Sequence, residues 1–468
     1  MVYHLKRSYN LVEITPWPNI LEPELSYKKI IHAPGKPLKF ITERLFTVVN
    51  GSGIFPAGLF TRVFNLLSSI KGVKLEVVDY RDMARLMPMP DFSKVDLLRP
   101  GQEKILTAVA ANEGGLLVGG CGLGKTFLIT QICKMYTTLN ILILSPRVSV
   151  VNTIYDNLTR CISSEVITKV GGGGANCKEK RRITVSTTKS ILKCNLKECD
   201  LLLFDEAHNV GSNQIAEHLA YIERGRKFGF TATPAGRSDG ADLVIEAIFG
   251  PKIADIPYME AVKHGLVTPI EVRTVKVTSS PYIPDSELMV TKKRWNYWRN
   301  TNRNKVIAQV ARMLPSDEQV LIMVETLEHA LNLHKLLPEY TLVHYGSVTE
   351  ERAKRLGHSK EALTLSRDEL DKYRTQFEDG TLKKVIATSV WAEGVNFPKL
   401  SCLIRADGAP GEIKGEQIPG RLSRLAEGKN VGILIDFIDE FSPWAKRRSI
   451  ARMSFYRRRG WKIQPLHI

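Results

Sequence analysis

The chain has 468 residues, enough for two or three domains that each bury a core of their own. Charged residues make up 25% of it, and 66 Lys and Arg against 49 Asp and Glu leave a net charge of +17, which favours a polyanionic partner, nucleic acid before an anionic membrane. No apolar run approaches the roughly 18–20 residues of a membrane span, and the start of the chain lacks a signal-peptide core, so we expect a cytosolic protein with reduced thiols.

Residues 1–94 show no regular alternation of helix and strand patterns. The helix-like stretch PAGLFTRVFNLLSSIKG is followed by the strand-like VKLEVVDY. We therefore predict a small, separate α+β accessory domain over residues 1–94, which is a candidate for DNA binding.

Apolar runs and helix-like stretches alternate through most of the remaining chain. In residues 95–277 the runs are GLLVGG, ILILSP, ITVSTT, LLLFDEAH and FGFTATP, and in residues 304–440 they are VLIMVET, TLVHYGS, KKVIATS, CLIRAD and VGILIDF. This α/β pattern predicts two tandem lobes, each with a parallel sheet covered on both faces. Residues 278–303, which begin with turn formers, predict a linker, and residues 441–468 form a basic carboxy-terminal segment.

The run GGCGLGKT (119–126) fits the pattern G-x-x-x-x-G-K-[ST] and stands between a strand-like and a helix-like stretch. Glycines let such a loop point backbone N–H groups at phosphate oxygens, and the start of the following helix adds a positive end. A glycine-rich turn with a chance match is the alternative. We predict that Lys125 reaches the β- and γ-phosphates of a nucleotide and that Thr126 ligates Mg²⁺. The loop residues expected to bind the nucleotide are Gly120, Cys121, Gly122, Leu123, Gly124, Lys125 and Thr126.

The run LLLFDEAH (201–208) is an apolar strand that ends in two acids and a histidine. Carboxylates at the carboxyl end of a buried strand lie where α/β sheets bind ligands. We predict that Asp205 holds the Mg²⁺ shell and that Glu206 orients and deprotonates the attacking water. Taken alone, the acids fit the first turn of a helix equally well.

The run QIPGRLSR (417–424) places Gln417, Arg421 and Arg424 directly around a Pro-Gly step. The two arginines are three residues apart and share a face if the run is helical. Because the phosphate loop belongs to the first lobe, we predict that Arg421 and Arg424 act from the second lobe as arginine fingers on transition-state charge. An ordinary solvated helix face is the alternative.

These runs, in this order, resemble the motifs of superfamily-two helicases and translocases. LRPGQ (98–102) resembles the adenine-recognising entry motif, GLGKT motif I, LSPRVSVVNTI motif Ia, VSTTKSI motif Ib, FDEAH motif II and FTATP motif III. VLIMVET resembles motif IV, ATSVWAEGVNFPKL motif V and QIPGRLSR motif VI. The chain is most similar to phage branch-migration helicases of the UvsW type and to relatives of the XPB and RecG kind. This resemblance implies two RecA-like lobes and a DNA-dependent ATPase that acts on forks, junctions or displaced strands.

The resemblance also implies roles for individual residues. Gln102 reads adenine, Gly394 belongs to the nucleotide site, and Gln417 joins the catalytic set. His208 relays the nucleotide state to Thr231 and Thr233, which couple the lobes. The residues implied to approach the nucleic-acid backbone are Ser145, Pro146, Arg147, Thr187 and Thr388.

Two basic segments outside the motifs are further candidates for nucleic-acid contact. KKRWNYWRNTNR (292–303) interleaves cations such as Arg294 with Trp295 and Trp298, which suit phosphates and unpaired bases, although the tryptophans fit packing of one helix face somewhat better. KRRSIARMSFYRRRGW (446–461) carries no acid and is expected to oppose DNA phosphates, with a helix that covers the motor as the alternative.

The sequence therefore predicts an ATP- and Mg²⁺-dependent DNA helicase or translocase for branched DNA that acts as a monomer, with single-strand-binding or recombination proteins as candidate partners. Three alternatives stay open. They are an RNA helicase of the DEAH type, a nucleotide-gated clamp that does not unwind, and the motor subunit of a restriction complex.

Overall fold

The alternating apolar runs form the strands of two parallel sheets in a computed structural model of the chain. The structure describes residues 1–468 except 32–38, 121, 172–180, 192–198, 212–215, 217–218, 220–221, 223–224, 233–241, 346, 392–396 and 411–418. The chain divides into two compact units, the first with residues 1–120 and 124–257 and the second with residues 121–123 and 258–468.

The amino-terminal domain is built on a five-stranded sheet in the order β5-β6-β2-β1-β7, beside the separate hairpin β3–β4. Its strands are β1 Val2–Arg7, β2 Leu11–Thr15, β3 Ser26–Ile31, β4 Lys39–Arg44, β5 Thr47–Val49, β6 Ser52–Pro56 and β7 Lys74–Asp79. Its helices are α1 Leu21–Glu24, α2 Phe60–Ser68 and α3 Met83–Leu86. Alternate residues of the strands, such as Leu5, Val12 and Phe55, pack on Val63 and Leu67 of α2, in a core that Ala247 of the first lobe also joins.

The first lobe has a seven-stranded parallel sheet in the order β10-β11-β9-β12-β13-β8-β14. Its strands are β8 Gly114–Gly119, β9 Ile141–Ser145, β10 Ile167–Val170, β11 Ile183–Thr187, β12 Leu201–Asp205, β13 Arg226–Thr231 and β14 Lys252–Ile256. Its helices are α4 Gln102–Ala111, α5 Lys125–Met135, α6 Val148–Cys161, α7 Thr188–Ile191 and α8 Asp242–Phe249. The central strands β9 and β12 are buried along their whole length, as strands covered on both faces must be.

The second lobe repeats this architecture with the strand order β17-β18-β16-β19-β20-β15-β21, again all parallel. Its strands are β15 Ile270–Val277, β16 Val320–Met323, β17 Thr341–Val343, β18 Lys384–Ala387, β19 Cys402–Arg405, β20 Gly432–Asp439 and β21 Lys462–Pro465. Its helices are α9 Tyr258–Lys263, α10 Met289–Lys293, α11 Thr301–Met313, α12 Leu327–His334, α13 Glu350–Arg355, α14 Arg367–Asp379 and α15 Pro443–Arg458. A π-helix, Arg294–Trp298, continues α10. Two clusters of buried residues cover the two faces of this sheet.

Two predicted boundaries differ from the structure. We predicted that the first lobe extends to residue 277, but β15 pairs with β20 and β21 and lies in the second sheet. We predicted a separate segment over 441–468, but its helix α15 contributes Met453, Phe455 and Tyr456 to the core of the second lobe. Both errors concern pairing partners that are distant in sequence, which local patterns do not identify.

The amino-terminal domain is attached to the first lobe by ion pairs. Glu113, which directly precedes β8, binds Arg7 at 2.7 Å and Arg81 at 2.8 Å. Arg62 of α2 holds both carboxylate oxygens of Glu246 on α8, at 3.1 and 2.7 Å. The domain therefore contacts the amino end of the strand that leads into the phosphate loop. In the described part of the chain, no helix is long and apolar enough to cross a membrane.

Candidate nucleotide site and nucleic-acid motifs

The phosphate-loop sequence joins β8 to α5, as its spacing predicts. Gly122 and Gly124 have φ values of +90° and +86°, a region that side chains with a Cβ rarely adopt, so glycine is needed at both positions. The backbone N–H of Leu128 donates to the Gly124 carbonyl at 2.9 Å, which closes the first turn of α5. Lys125 and Thr126 thus begin an 11-residue helix, whose first-turn N–H groups and positive end favour an anion.

The acidic motif lies at the carboxyl end of β12, two strands away from β8 in the sheet. Asp205 is the last residue of the strand and is buried, and Glu206 has a left-handed backbone with φ of +57°, uncommon for a residue other than glycine. Lys125 Nζ lies 3.2 Å from Glu206 Oε1. The fold therefore brings the phosphate-loop lysine and the motif II acids together, although the two segments are some eighty residues apart.

The two carboxyl groups have different pKa values because their surroundings differ. Burial, with the neighbouring charge of Glu206, raises the pKa of Asp205 to about 7, and the charge of Lys125 opposes this only partly. Burial also acts to raise the pKa of Glu206, but Lys125 and His208 outweigh it, so this pKa lies below its ordinary value. The ionised form is therefore favoured for the Glu206 carboxylate, whereas an added cation would be needed to stabilise the ionised form of Asp205.

This donor set fits a nucleotide with Mg²⁺. Asp205 Oδ1 is buried and has no hydrogen-bond partner among the described residues, which is costly unless a cation or water satisfies it. Oxygen ligands are those that Mg²⁺ prefers, and a cation at this point would favour the ionised form of Asp205. The residues present are therefore compatible with the metal and the triphosphate that the phosphate loop implies.

Gln102 is buried beside the phosphate loop. Its Oε1 accepts from the backbone N–H of Arg99 at 3.0 Å, and its Nε2 lies 3.0 Å from the position that a Cβ on Gly124 would occupy. The preceding residue, Gly101, has φ of +94° and caps α4. This left-handed turn explains why glycine stands at position 101, before the glutamine.

His208 links the acidic motif to the end of the neighbouring strand. Its Nδ1 lies 3.3 Å from Thr231 Oγ1 and 3.4 Å from Glu206 Oε2. Asn209, which the sequence analysis did not single out, donates to the Glu206 carbonyl at 3.2 Å and lies 3.2 Å from His208 Nε2. An amide following an acidic motif has no sequence signal of its own. The other predicted coupling residue, Thr233, lies outside the described residues.

The hydroxyls predicted to approach nucleic acid are mostly buried. Ser145, Thr187 and Thr388 are at most 4% exposed, and Thr187 Oγ1 donates to Ser190 Oγ at 2.8 Å. Pro146 and Arg147 are half-buried. The charge of Arg147 helps to lower the pKa of Glu206, so this side chain lies within electrostatic reach of the Glu206 carboxylate.

The basic-aromatic segment is packed into the second lobe. Trp298 is only 6% exposed and clusters with Tyr297 and with Ala445 of α15. The packing that the sequence favoured for it is therefore confirmed, and the candidate role of Trp298 in base stacking is wrong. Arg294 and Arg299 both bind Glu328 of α12, the former at 3.1 Å. Trp295 is half-buried, with the Arg299 guanidinium 5.6 Å from its ring centre.

The motif VI arginines lie in a short 3₁₀-helix and the turn after it. Pro419–Arg421 is the helical part, Arg421 is buried, and Arg424 is half-buried. The Arg424 carbonyl accepts from Thr268 Oγ1 and Lys429 Nζ, both at 3.1 Å, which fixes the turn. The regular helix face that we considered is therefore absent from the described part of this run. Cys121, Gly394 and Gln417 lie outside the described residues.

Comparison with known proteins assigns helicase domains to both lobes. Residues 96–236 match the family of type III restriction enzyme res subunits, and residues 303–426 match the helicase conserved C-terminal domain.

Several relatives of modest identity cover much of the chain. "Probable helicase D10" of Escherichia phage T5 is 24% identical over 403 residues, 85% of this chain and 82% of its own. A candidate ATP-dependent RNA helicase, L396 of Acanthamoeba polyphaga mimivirus, is 23% identical over 402 residues, 81% of this chain and 72% of its own. The DNA 3′-5′ helicase XPB of Kineococcus radiotolerans is 25% identical over 201 residues, 41% of this chain and 35% of its own.

A solved structure with the same fold is a fragment of a candidate HsdR subunit of a type I restriction enzyme from Vibrio vulnificus YJ016. It has a TM-score of 0.56 and 19% identity, and the match covers 92% of this chain and 76% of that one. It supports two tandem RecA-like lobes.

Proposed function

The chain belongs to the superfamily-two helicases, nucleic-acid motors driven by ATP, and we propose that it acts on DNA, with forks, junctions or displaced strands as substrates. The observation that carries the ATP-driven part is the convergence of Lys125, Asp205 and Glu206 at the carboxyl edge of one parallel sheet.

In the proposed reaction, each group of the first lobe has one task. Bound Mg²⁺ and ATP supply a Lewis acid and the phosphoanhydride that is cleaved. Asp205 and Thr126 hold the metal, Lys125 binds the β- and γ-phosphates, and Glu206 accepts a proton from the attacking water. Gln102 contacts the adenine. Lys125 exchanges its contact with Glu206 for phosphate, and the charges of His208 and Arg147, which also act to lower the pKa of Glu206, then favour its ionised form as the base.

The second lobe is proposed to supply cations to the transition state. Arg421 and Arg424 would stabilise negative charge that develops on the γ-phosphate, and Gln417 and Gly394 would complete the nucleotide contacts. Because guanidinium groups bind phosphate oxygens in a planar, bidentate geometry, lysine is not expected to replace either arginine. His208, Thr231 and Thr233 are proposed to transmit the nucleotide state.

Support for DNA comes from two sources. The relative XPB is named a DNA helicase, and the chain resembles branch-migration helicases in the order of its motifs and in the accessory domain before them. The ion pairs through Glu113 and Glu246 attach that domain to the first lobe, which makes it a suitable second contact for a branched substrate. The relative L396 carries RNA in its name, so an RNA helicase is the second candidate.

The test is steady-state ATP hydrolysis with no polymer, single-stranded DNA, forked DNA and matched RNA, with Glu206→Gln as the blank. We expect stimulation by DNA, greatest with the fork, followed by displacement of a labelled strand from the fork. Stimulation by RNA alone would support the second candidate, an RNA helicase. ATP hydrolysis without displacement of any strand would indicate a translocase or a nucleotide-gated clamp instead of a helicase.

A further inference from the structure

A cavity of about 440 Å³ lies on the second lobe along α12, between the start of α11 and the end of α13. It falls within the size range of ordinary ligand sites. Its lining includes Asn304 and Lys305 from α11, Leu331 and Lys335 from α12, and Arg355 from α13. Among the described lining residues, only Arg299 and Thr301 belong to a segment that the sequence suggested for nucleic-acid contact, 292–303, and none has a proposed role in ATP hydrolysis. ATP hydrolysis therefore does not account for the cavity.

Cations dominate the rim of this cavity. Its lining has the cations Arg299, Lys305, Lys335 and Arg355 and the single acid Glu328. Arg299 is paired with Glu328 and Arg355 with Glu351, so the uncompensated charge comes from the two lysines. Lys305 and Lys335 are both exposed, and no hydrogen bond or ion pair joins their ammonium groups to another described residue. The rim therefore carries positive charge that the described part of this lobe does not neutralise.

The floor of the cavity is aliphatic. Leu331, Leu336 and Leu356 line it, and Leu331 belongs to a small buried cluster with Leu327 and Val348. The wall is held in place, because the side-chain amides of Asn304 and Asn332 donate to the Trp298 carbonyl at 3.2 and 2.9 Å. An apolar group that enters this cavity therefore meets a preformed surface.

We propose that this cavity docks an acidic peptide segment of a partner protein, with an apolar side chain on the leucine floor and carboxylates on Lys305 and Lys335. An aliphatic floor within a cationic rim complements both parts of such a segment. A nucleic-acid strand fits less well, because bases bind chiefly by stacking and none of the described residues that line the cavity is aromatic. The site is separate from ATP hydrolysis and holds whether the motor acts on DNA or on RNA.

The experiment uses a fluorescent peptide of aspartates with one central leucine, titrated with the full chain and followed by anisotropy. We expect saturable binding that weakens about tenfold in the double variant Lys305→Ala, Lys335→Ala. Replacing the peptide's leucine by serine, or its aspartates by asparagine, should weaken binding comparably. The matched control is Lys360→Ala, Lys372→Ala, two exposed lysines of the same lobe outside the cavity, and it should bind like the unaltered chain.

Equal binding by the cavity variant and the control would overturn the proposal, as would the absence of saturable binding. A labelled thymidine oligonucleotide gives the competing outcome, in which the cavity variant loses oligonucleotide affinity and keeps any affinity for the peptide. DNA-stimulated ATP hydrolysis should be the same in both double variants. A failure of the proposed motor function would therefore leave the peptide result interpretable by itself.

Discussion

Glu206 is the residue whose substitution tests the proposed chemistry most directly. Its left-handed backbone and its contact with Lys125 fix the carboxylate at the end of β12. Glu206→Gln keeps the shape and removes the proton acceptor, so we expect ATP hydrolysis to fall by about 10²–10⁴-fold while ATP binding is retained. A fluorescent nucleotide titration and a steady-state assay measure the two quantities. Turnover at the rate of the unaltered chain would exclude Glu206 as the base.

Arg424 has a different expected profile. Its side chain is proposed to act on charge that is present only in the transition state, so Arg424→Ala should lower the rate of ATP hydrolysis and leave ATP affinity nearly unchanged. Arg424→Lys distinguishes charge from geometry, because a lysine keeps the charge without the planar, bidentate donors. Loss of ATP affinity with a normal maximal rate would assign Arg424 to ground-state binding instead.

His329 makes stability depend on pH in the second lobe. It is fully buried, its Nε2 lies 3.1 Å from Asn304 Oδ1, and burial, aided by the charge of Arg303, lowers its pKa to about 3. The unfolded chain takes up a proton below about pH 6.5, whereas the folded chain does not. The stability contributed by neutral His329 is therefore complete above pH 6.5 and lost as the pH falls towards 3.

The expected loss is about 1.4 kcal/mol of unfolding free energy per pH unit below 6.5. Urea unfolding at pH 7 and pH 5.5 measures it, with His329→Gln as the comparison, since glutamine does not titrate. The variant should be less stable at pH 7 but change less between the two pH values. An equal change in both proteins would show that other groups cause the dependence.

The residues of the nucleotide site were predictable because their motifs are local. GGCGLGKT and LLLFDEAH each contain a strand end and the groups that follow it, and parallel strands bring such ends together. The contacts of Asn209 and the element that buries Trp298 were not predictable. Asn209 acts through a backbone carbonyl, and Trp298 is buried by α15, which lies far away in sequence.

At the scale of elements, α15 shows how a basic sequence becomes part of a core. Arg452 of this helix is 1% exposed and binds the fully buried Asp436 at 2.9 Å, with Asp439 at 3.7 Å. Arg452→Met leaves buried carboxylates without their cation and should lower the free energy of unfolding by about 3–5 kcal/mol. Arg447→Met, on the exposed side of the same helix, should change it by less than about 0.5 kcal/mol. Similar denaturation midpoints for the two variants would contradict this division of the helix.

Five of the seven strands of each sheet were predicted from their apolar runs, but the strands at the sheet edges β10, β14 and β21, the strand β15 and the membership of a sheet were not. β15 precedes the turn-rich stretch 278–287, so it reads as the end of the first lobe, yet it pairs with β20, more than 150 residues later. The basic stretch 292–303 likewise reads as a surface, although Glu325 and Glu328 neutralise much of its charge. Sequence pattern gives the elements, and contacts distant in sequence decide their neighbours.

At the scale of the molecule, the cations behind the net charge of +17 can bind nucleic-acid phosphates only where they are exposed. On α15 these are Lys446, Arg447, Arg457 and Arg458, whereas Arg452 is buried. Deleting this helix would remove Met453, Phe455 and Tyr456 from the core. A loss of DNA binding in such a deletion could then not be distinguished from unfolding of the lobe. Substitutions on the exposed side avoid this problem.

The last prediction therefore concerns the salt dependence of DNA binding. Each phosphate contact that is lost should reduce the slope of log K against log[salt] by about 0.7–0.9. Replacing Lys446, Arg447, Arg457 and Arg458 by glutamine should thus lower the slope by about 2–4 if most of them oppose DNA phosphates. The control replaces Lys360, Lys372 and Lys383, exposed lysines elsewhere on the same lobe, and should leave the slope nearly unchanged. If the slope falls equally in both variants, DNA binding depends on the net charge of the protein and not on α15, whose role is then only to pack in the core.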